Sequence, residues 1–134
     1  MRNLDPSRYK LLRYLFPFYL LFLVLTAILP LNGASAVTMN HVYIVNIRLD
    51  FFLHGILYLP WCYLYMASLR PARLAENLLM ISAGLLMAFA TEGVQYFLTY
   101  RTYNINDLLS NFLGVLAGTF VLFILTPNLS RKPH

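Results

Sequence analysis

A single cysteine, Cys62, set inside an apolar run, rules out an intramolecular disulfide and leaves packing as its expected role. Charge is almost as scarce. Only five residues are acidic and 11% are charged, against 60% hydrophobic and 16% aromatic. A chain of 134 residues cannot enclose that much apolar surface in one soluble domain. The sequence also lacks a phosphate-binding glycine loop, paired-cysteine metal spacing, internal repeats, low-complexity tracts and lipidation signals. No cofactor and no metal are expected, since one histidine among carboxylates is a poor zinc pattern. The net charge of +5 does not imply nucleic acid, because the basic residues form neither a groove-lining cluster nor a stripe interleaved with aromatics. What remains is an integral membrane protein whose first partner is the lipid bilayer.

Four apolar segments have the roughly 17 to 25 residues that a spanning helix needs: Tyr14 to Leu31, Asp50 to Leu69, Leu74 to Tyr100 and Asp107 to Thr126. The connections Arg70 to Arg73 and Arg101 to Asn106 are too short for a soluble domain, so the last three segments must form tight antiparallel hairpins. The expectation is one all-α domain over 1–134, a four-helix transmembrane bundle, with oligomers compatible. The one sizeable loop, 32–48, is rich in β-branched residues with partial alternation and has room for short β structure. A rival reading takes the basic start, the apolar run and Ala34-Ser35-Ala36 as a signal peptide. The run exceeds the usual 7 to 15 residues of such a region, which favours a retained helix.

Orientation follows the positive-inside rule. Arg2, Arg8, Lys10 and Arg13 precede the first segment, Arg70 and Arg73 join the second and third, and Arg131 and Lys132 follow the fourth. Of the ten basic residues only Arg48 and Arg101 fall on the opposite side. Both termini are therefore expected in the cytoplasm, in a multi-pass protein of the bacterial cytoplasmic membrane. Tyr96, Tyr100 and Tyr103 suit the outer interface, His41 and His134 are expected in solvent, and Pro60 should kink the second helix.

Polar groups inside lipid-soluble helices are costly and usually face an internal site. With this topology, a rise of about 1.5 Å per residue puts His54 roughly 6 Å below Asp50, Glu92 and Gln95 about 12 and 8 Å below Tyr100, and Asn111 about 6 Å below Asp107. All lie in the outer leaflet. Asp50 with His54, Glu92 with Gln95 and Tyr96, and Asp107 with Asn111 are three or four residues apart, so each helix carries one polar face. The same faces continue into Gly84 and Ala88 and into Gly114 and Gly118, small residues that allow close helix approach. These positions imply an outward-facing polar pocket between the last three helices, roofed by the loop that contains Arg48.

The ordered set Asp50-Phe51-Phe52-Leu53-His54, Glu92-Gly93-Val94-Gln95, Arg101 and Asp107-Leu108-Leu109-Ser110-Asn111-Phe112-Leu113-Gly114, with Gly118, resembles the VanZ-like membrane protein family. That family typically shows Asp and His four apart, Glu-x-x-Gln, Arg and Asp-x-x-x-Asn-x-x-Gly in this order. Members often carry Lys after the first Asp, where this chain has Phe51, and Arg48 is the nearest cation. The resemblance implies a link to glycopeptide resistance, teicoplanin in particular, and no defined reaction.

Three readings of the polar set follow. In the favoured one, Arg48 and Arg101 contact the phosphate or carboxylate of an envelope lipid headgroup or of a glycopeptide-type antibiotic, while Asp50, His54, Glu92, Gln95, Asp107 and Asn111 contact its hydroxyls or amides. In the second, an enzyme acts on a lipid headgroup with His54, oriented by Asp50, as base and Glu92 as acid. In the third the groups only fix helix register. The topology predicts that a fluorescent reporter requiring the cytoplasm is active when fused after His134 and that an export-dependent phosphatase there is silent; the converse pattern would refute the orientation.

Overall fold

The computed structural model describes residues 6–30, 43–44, 47–69, 74–101 and 103–125. Helix α1 spans Pro6–Ile28 and closes on a last turn in which Leu29 N–H donates to Leu25. It starts earlier than the apolar run because proline suits the first helical position, where no partner for an N–H is needed. It stops before Pro30, and residues 31–42 lie outside the described residues. Two short strands, β1 Tyr43–Ile44 and β2 Ile47–Arg48, pair antiparallel with Tyr43 opposite Arg48 and lead directly into the next helix.

The second apolar segment is not one helix. It divides into α2, Leu49–Tyr58, and α3, Trp61–Leu69. Pro60 has no N–H to donate and its ring crowds the preceding turn. Leu59 N–H is shared between the carbonyls of Gly55 and Ile56 at 3.2 and 3.3 Å, and Leu64 N–H then restarts the ladder on Pro60 at 3.0 Å. Helix α4 covers Leu74–Phe97 and ends before the predicted Tyr100; Leu98 and Arg101 N–H close turns on Gln95 and Leu98. Helix α5, Ile105–Leu125, begins two residues before Asp107 because Asn104 is its cap. Asn104 Oδ1 accepts from Asn106 N–H at 3.1 Å, which satisfies one of the orphan donors of the first turn.

Among the described residues two helical stretches, Glu76–Phe97 and Ile105–Ile124, are long and apolar enough to cross a membrane. The apolar part of α1, Arg13–Ile28, is shorter, and α2 and α3 each fall short because of the break at Pro60. Burial departs from that of a soluble protein in two respects. Phe18, Leu86, Leu113, Phe120 and Phe97 face outward, whereas Thr91, Glu92, Gln95, Asp107 and Asn111 are buried. An exterior of large apolar side chains around a polar interior suits lipid, which solvates the former and cannot solvate the latter.

The core below the polar residues is built around Trp61. Its Nε1–H donates to the Met80 carbonyl at 3.0 Å and Phe16 meets the ring edge-on at a centroid distance of 5.6 Å. Cys62 is fully buried beside Thr119, in keeping with a packing role. The most extensive helix pairing joins α2 to α5. A Cβ at Gly114 would overlap the Gly55 carbonyl oxygen and crowd Tyr58 Cβ at 3.1 Å, and one at Gly118 would overlap the Leu59 carbonyl oxygen. The two backbones are in contact.

This packing predicts opposite effects for the same substitution at different glycines. Gly114→Ala and Gly118→Ala should each cost about 1 to 3 kcal/mol, since backbone cannot move aside as a side-chain tip can. Gly93→Ala, where nothing lies within 4 Å of the added carbon, should be neutral or stabilising by up to about 1 kcal/mol from helix propensity. Thermal unfolding of the three variants in detergent, followed by circular dichroism, checks the ranking.

Candidate functional site

The turn from Leu98 to Asn104 places the first set of groups. Arg101 reaches back across the bundle to the end of α1, where its Nη2 donates to the carbonyls of Thr26 and Leu29 at 2.7 and 2.5 Å. Tyr100 donates its hydroxyl to the Ile28 carbonyl at 2.8 Å. The last carbonyls of a helix have no partner within it, so these two side chains cap α1 from a neighbouring turn. Arg101 Nε is buried and has no hydrogen-bond partner among the described residues. Burial lowers the guanidinium below its ordinary pKa and the nearby Tyr100 and Glu92 oppose that; arginine stays cationic in proteins.

Asn104 ties α4 to α5. Its backbone N–H donates to Glu92 Oε1 and its side-chain amide donates to Asp107 Oδ1, both at 3.2 Å. Glu92 is 1% exposed, and its second oxygen has no hydrogen-bond partner among the described residues. Asp107 sits in the first turn of α5, where a negative charge is favoured by the helix dipole.

His54 joins α2 to this set. The Asn111 side-chain oxygen lies 3.2 Å from Nδ1, so in this amide orientation Nδ1 carries a proton and donates. Nε2 faces Asp107 Oδ2 at 3.8 Å, an ion-pair distance when the ring is charged. The ring nitrogens meet two residues of α5, because the glycine seam brings that helix within side-chain reach.

These elements enclose a cavity of about 250 Å³. Of the residues proposed from sequence, Asp50, His54, Gln95, Arg101 and Asn111 line it, whereas Glu92 and Asp107 stand behind the wall and brace it. Gln95 is 5% exposed, and its side-chain amide makes no hydrogen bond to another described residue. Arg48 is described only as backbone in β2, just before α2. Of the proposed roof, the loop 32–48, residues 32–42 and 45–46 lie outside the described residues.

The motif pattern missed one wall and one pair of residues. Leu23, Thr26 and Ala27 of α1 and Leu29 just past its end line the cavity. Nothing in an apolar first helix marks them, and only Thr26, three residues after Leu23, offers a polar hint. Tyr58 and Thr91 also line it, with their hydroxyls in contact and both reaching the Met87 carbonyl. Tyr58 was legible as the next step of the four-residue stripe Asp50, His54, Tyr58, and Thr91 lies four before Gln95 on the same face.

A family model described as VanZ/LLP1 matches residues 14–126. The chain belongs to the VanZ/LLP1 family. It is a membrane protein of that family, and the match takes in α1 from Tyr14 onward as well as every residue of the cavity wall, so this part of the first helix belongs to the family unit. No curated protein and no solved structure matches the chain. In this VanZ/LLP1 chain no group of three or more His, Cys, Asp or Glu side chains among the described residues is arranged to hold a metal ion.

The His54–Asn111 contact should be energetically coupled. A double-mutant cycle with His54→Ala and Asn111→Ala, read by thermal stability in detergent, should give a coupling of about 0.6 kcal/mol, with roughly 1.7 as an upper bound for such pairs in membrane proteins. Additive single effects would remove this contact from the site.

Proposed function

We propose that this VanZ/LLP1 chain crosses the cell membrane four times with both termini in the cytoplasm, and that its outer-leaflet cavity binds the anionic headgroup of a cell-envelope lipid. The carrying observation is that one cavity is shared by α1, α2, α4, α5 and the Arg101 turn and presents both a cation and an uncommitted amide, Arg101 and Gln95. An arginine beside a low-dielectric cavity is a strong receptor for phosphate or carboxylate oxygens. Asp50, His54 and Asn111 add acceptors and donors for hydroxyls. The outward sense is supported by the cavity lying at the end of α1 and the Arg101 turn, opposite Arg13 and the helix ends at Leu69 and Leu74. The break at Pro60 leaves α2 and α3 to cross as two half-helices, which is tolerated where neighbouring helices cover the interruption.

Size favours the smaller of the two ligand classes. Pockets for drug-sized ligands occupy roughly 300 to 1,000 Å³, so a cavity of about 250 Å³ suits a headgroup and not a whole glycopeptide. A contribution to glycopeptide resistance would then run through the envelope lipid. The acid–base alternative gains little support, because the Ser110 hydroxyl donates to the Asn106 carbonyl at 2.8 Å. Glu92 is bonded to the Asn104 amide.

The test uses glycerophosphoglycerol, a chain-free anionic phosphodiester with hydroxyls, titrated calorimetrically into purified protein. Wild type should bind it, and Gln95→Leu and Arg101→Gln should each weaken binding about tenfold or more, the size expected for a lost hydrogen bond to a charged group. Equal affinity in all three proteins, or no binding by wild type, would overturn the reading.

A further inference from the structure

Negative charge outweighs positive around the headgroup cavity. Among the described side chains there, Asp50 on α2, Glu92 on α4 and Asp107 on α5 are acids, and Arg101 alone is permanently cationic. Part of that guanidinium is already engaged, because its Nη2 caps α1. α1 and its last turn add Leu23, Thr26, Ala27 and Leu29, none of which titrates, and the Tyr58 hydroxyl is bonded to Thr91. An anionic headgroup brings a further negative charge into this low-dielectric space, where like charges at close range are costly.

His54 is the group that can change the count, and Asp50, Glu92 and Arg101 all act on its ring through charge. Its Nδ1 faces the Asn111 side-chain oxygen at 3.2 Å and its Nε2 faces Asp107 Oδ2 at 3.8 Å. In this amide orientation both neighbours are acceptors. A neutral ring with its proton on Nδ1 turns the Nε2 lone pair toward a carboxylate, whereas the imidazolium donates on both sides. The side chain is 25% exposed, so desolvation works against that charge. A phosphodiester in the cavity shifts the contest, because an anion within the same space favours the cationic ring.

Resting on the headgroup reading above, we propose that His54 couples the site to protons: the anionic headgroup binds together with one proton, taken from solvent onto Nε2, and leaves as that proton leaves. The bound state is an imidazolium between Asn111 and Asp107, with the phosphodiester held by Arg101 and by the charge of the ring. Affinity is greatest where the ring is already protonated in the empty cavity, and it falls as pH rises. The coupling is reciprocal, since the factor by which the proton strengthens headgroup binding is the factor by which the headgroup strengthens proton binding.

The experiment titrates glycerophosphoglycerol calorimetrically into the purified protein from about pH 6 to about pH 8, the range in which imidazole titrates. Pairs of buffers that differ in ionisation heat count the protons taken up. The ligand is a phosphodiester and keeps its single negative charge throughout, so any pH dependence belongs to the protein. At the alkaline end wild type should take up close to one proton and lose affinity by about tenfold per pH unit, the slope that linkage gives for one proton. His54→Asn, whose amide takes the place of Nδ1, and His54→Gln, whose amide reaches the place of Nε2, should take up none and bind with the same affinity at every pH. Nitrogen NMR of wild type labelled in histidine reads the event without a substitution: at the alkaline end, saturating ligand should convert one ring to the imidazolium form. Binding by wild type with no proton uptake and no pH dependence would overturn the coupling and leave the headgroup site standing. Uptake that persists in both variants, or rings that all stay neutral in ligand-saturated wild type, would move the proton to another group such as Glu92 and overturn the assignment to His54. Absence of binding by wild type at every pH is failure of the headgroup reading itself.

Discussion

Direct backbone contact between α2 and α5 is the constraint on which the site depends. Gly114 and Gly118 bring α5 against the carbonyls of Gly55 and Leu59. Only at that separation can a ring as short as histidine reach from α2 to Asp107 and Asn111. In lipid the approach is not driven by hydrophobic burial, so it must be held by packing and by the polar contacts it permits. The seam and the polar set are thus mutually dependent: small residues allow the hydrogen bonds, and the hydrogen bonds help to keep the small residues in register.

The same arrangement divides the bundle by depth. On one side of the glycine contacts Trp61, Met66, Met80 and Leu122 make a dry core. On the other side the buried groups are Thr91, Glu92, Gln95, Asp107 and Asn111. The Pro60 break falls between these zones, so α2 belongs to the polar half and α3 to the apolar half. α2 lines the cavity and α3 does not. A proline at that place separates a segment that serves the site from one that serves packing.

Much of the site could be read from the chain because helix periodicity converts spacing into faces. Asp50 with His54, Glu92 with Gln95 and Asp107 with Asn111 each required only a count of three or four. The helix boundaries were less legible where a single residue overrides the apolar run. Asn104 captures the start of α5 by its cap, and Pro60 splits what hydropathy alone draws as one helix. The role of α1 was the least visible. Apart from Thr26, its contribution to the cavity is made by leucine, alanine and main-chain carbonyls, which leave no mark in an apolar run. Arg101 was legible as a cation near the site, but its attachment to the end of α1 depends on a chain reversal that no periodicity encodes.

That attachment has a consequence for how the wall is specified. Tyr100 and Arg101 hold α1 by the oxygens of Thr26, Ile28 and Leu29, groups that every amino acid supplies. A helix gripped by its main chain can exchange its side chains and still be gripped. The first helix is therefore free to tune the width and apolar lining of the cavity, residue by residue, without renegotiating its own anchorage.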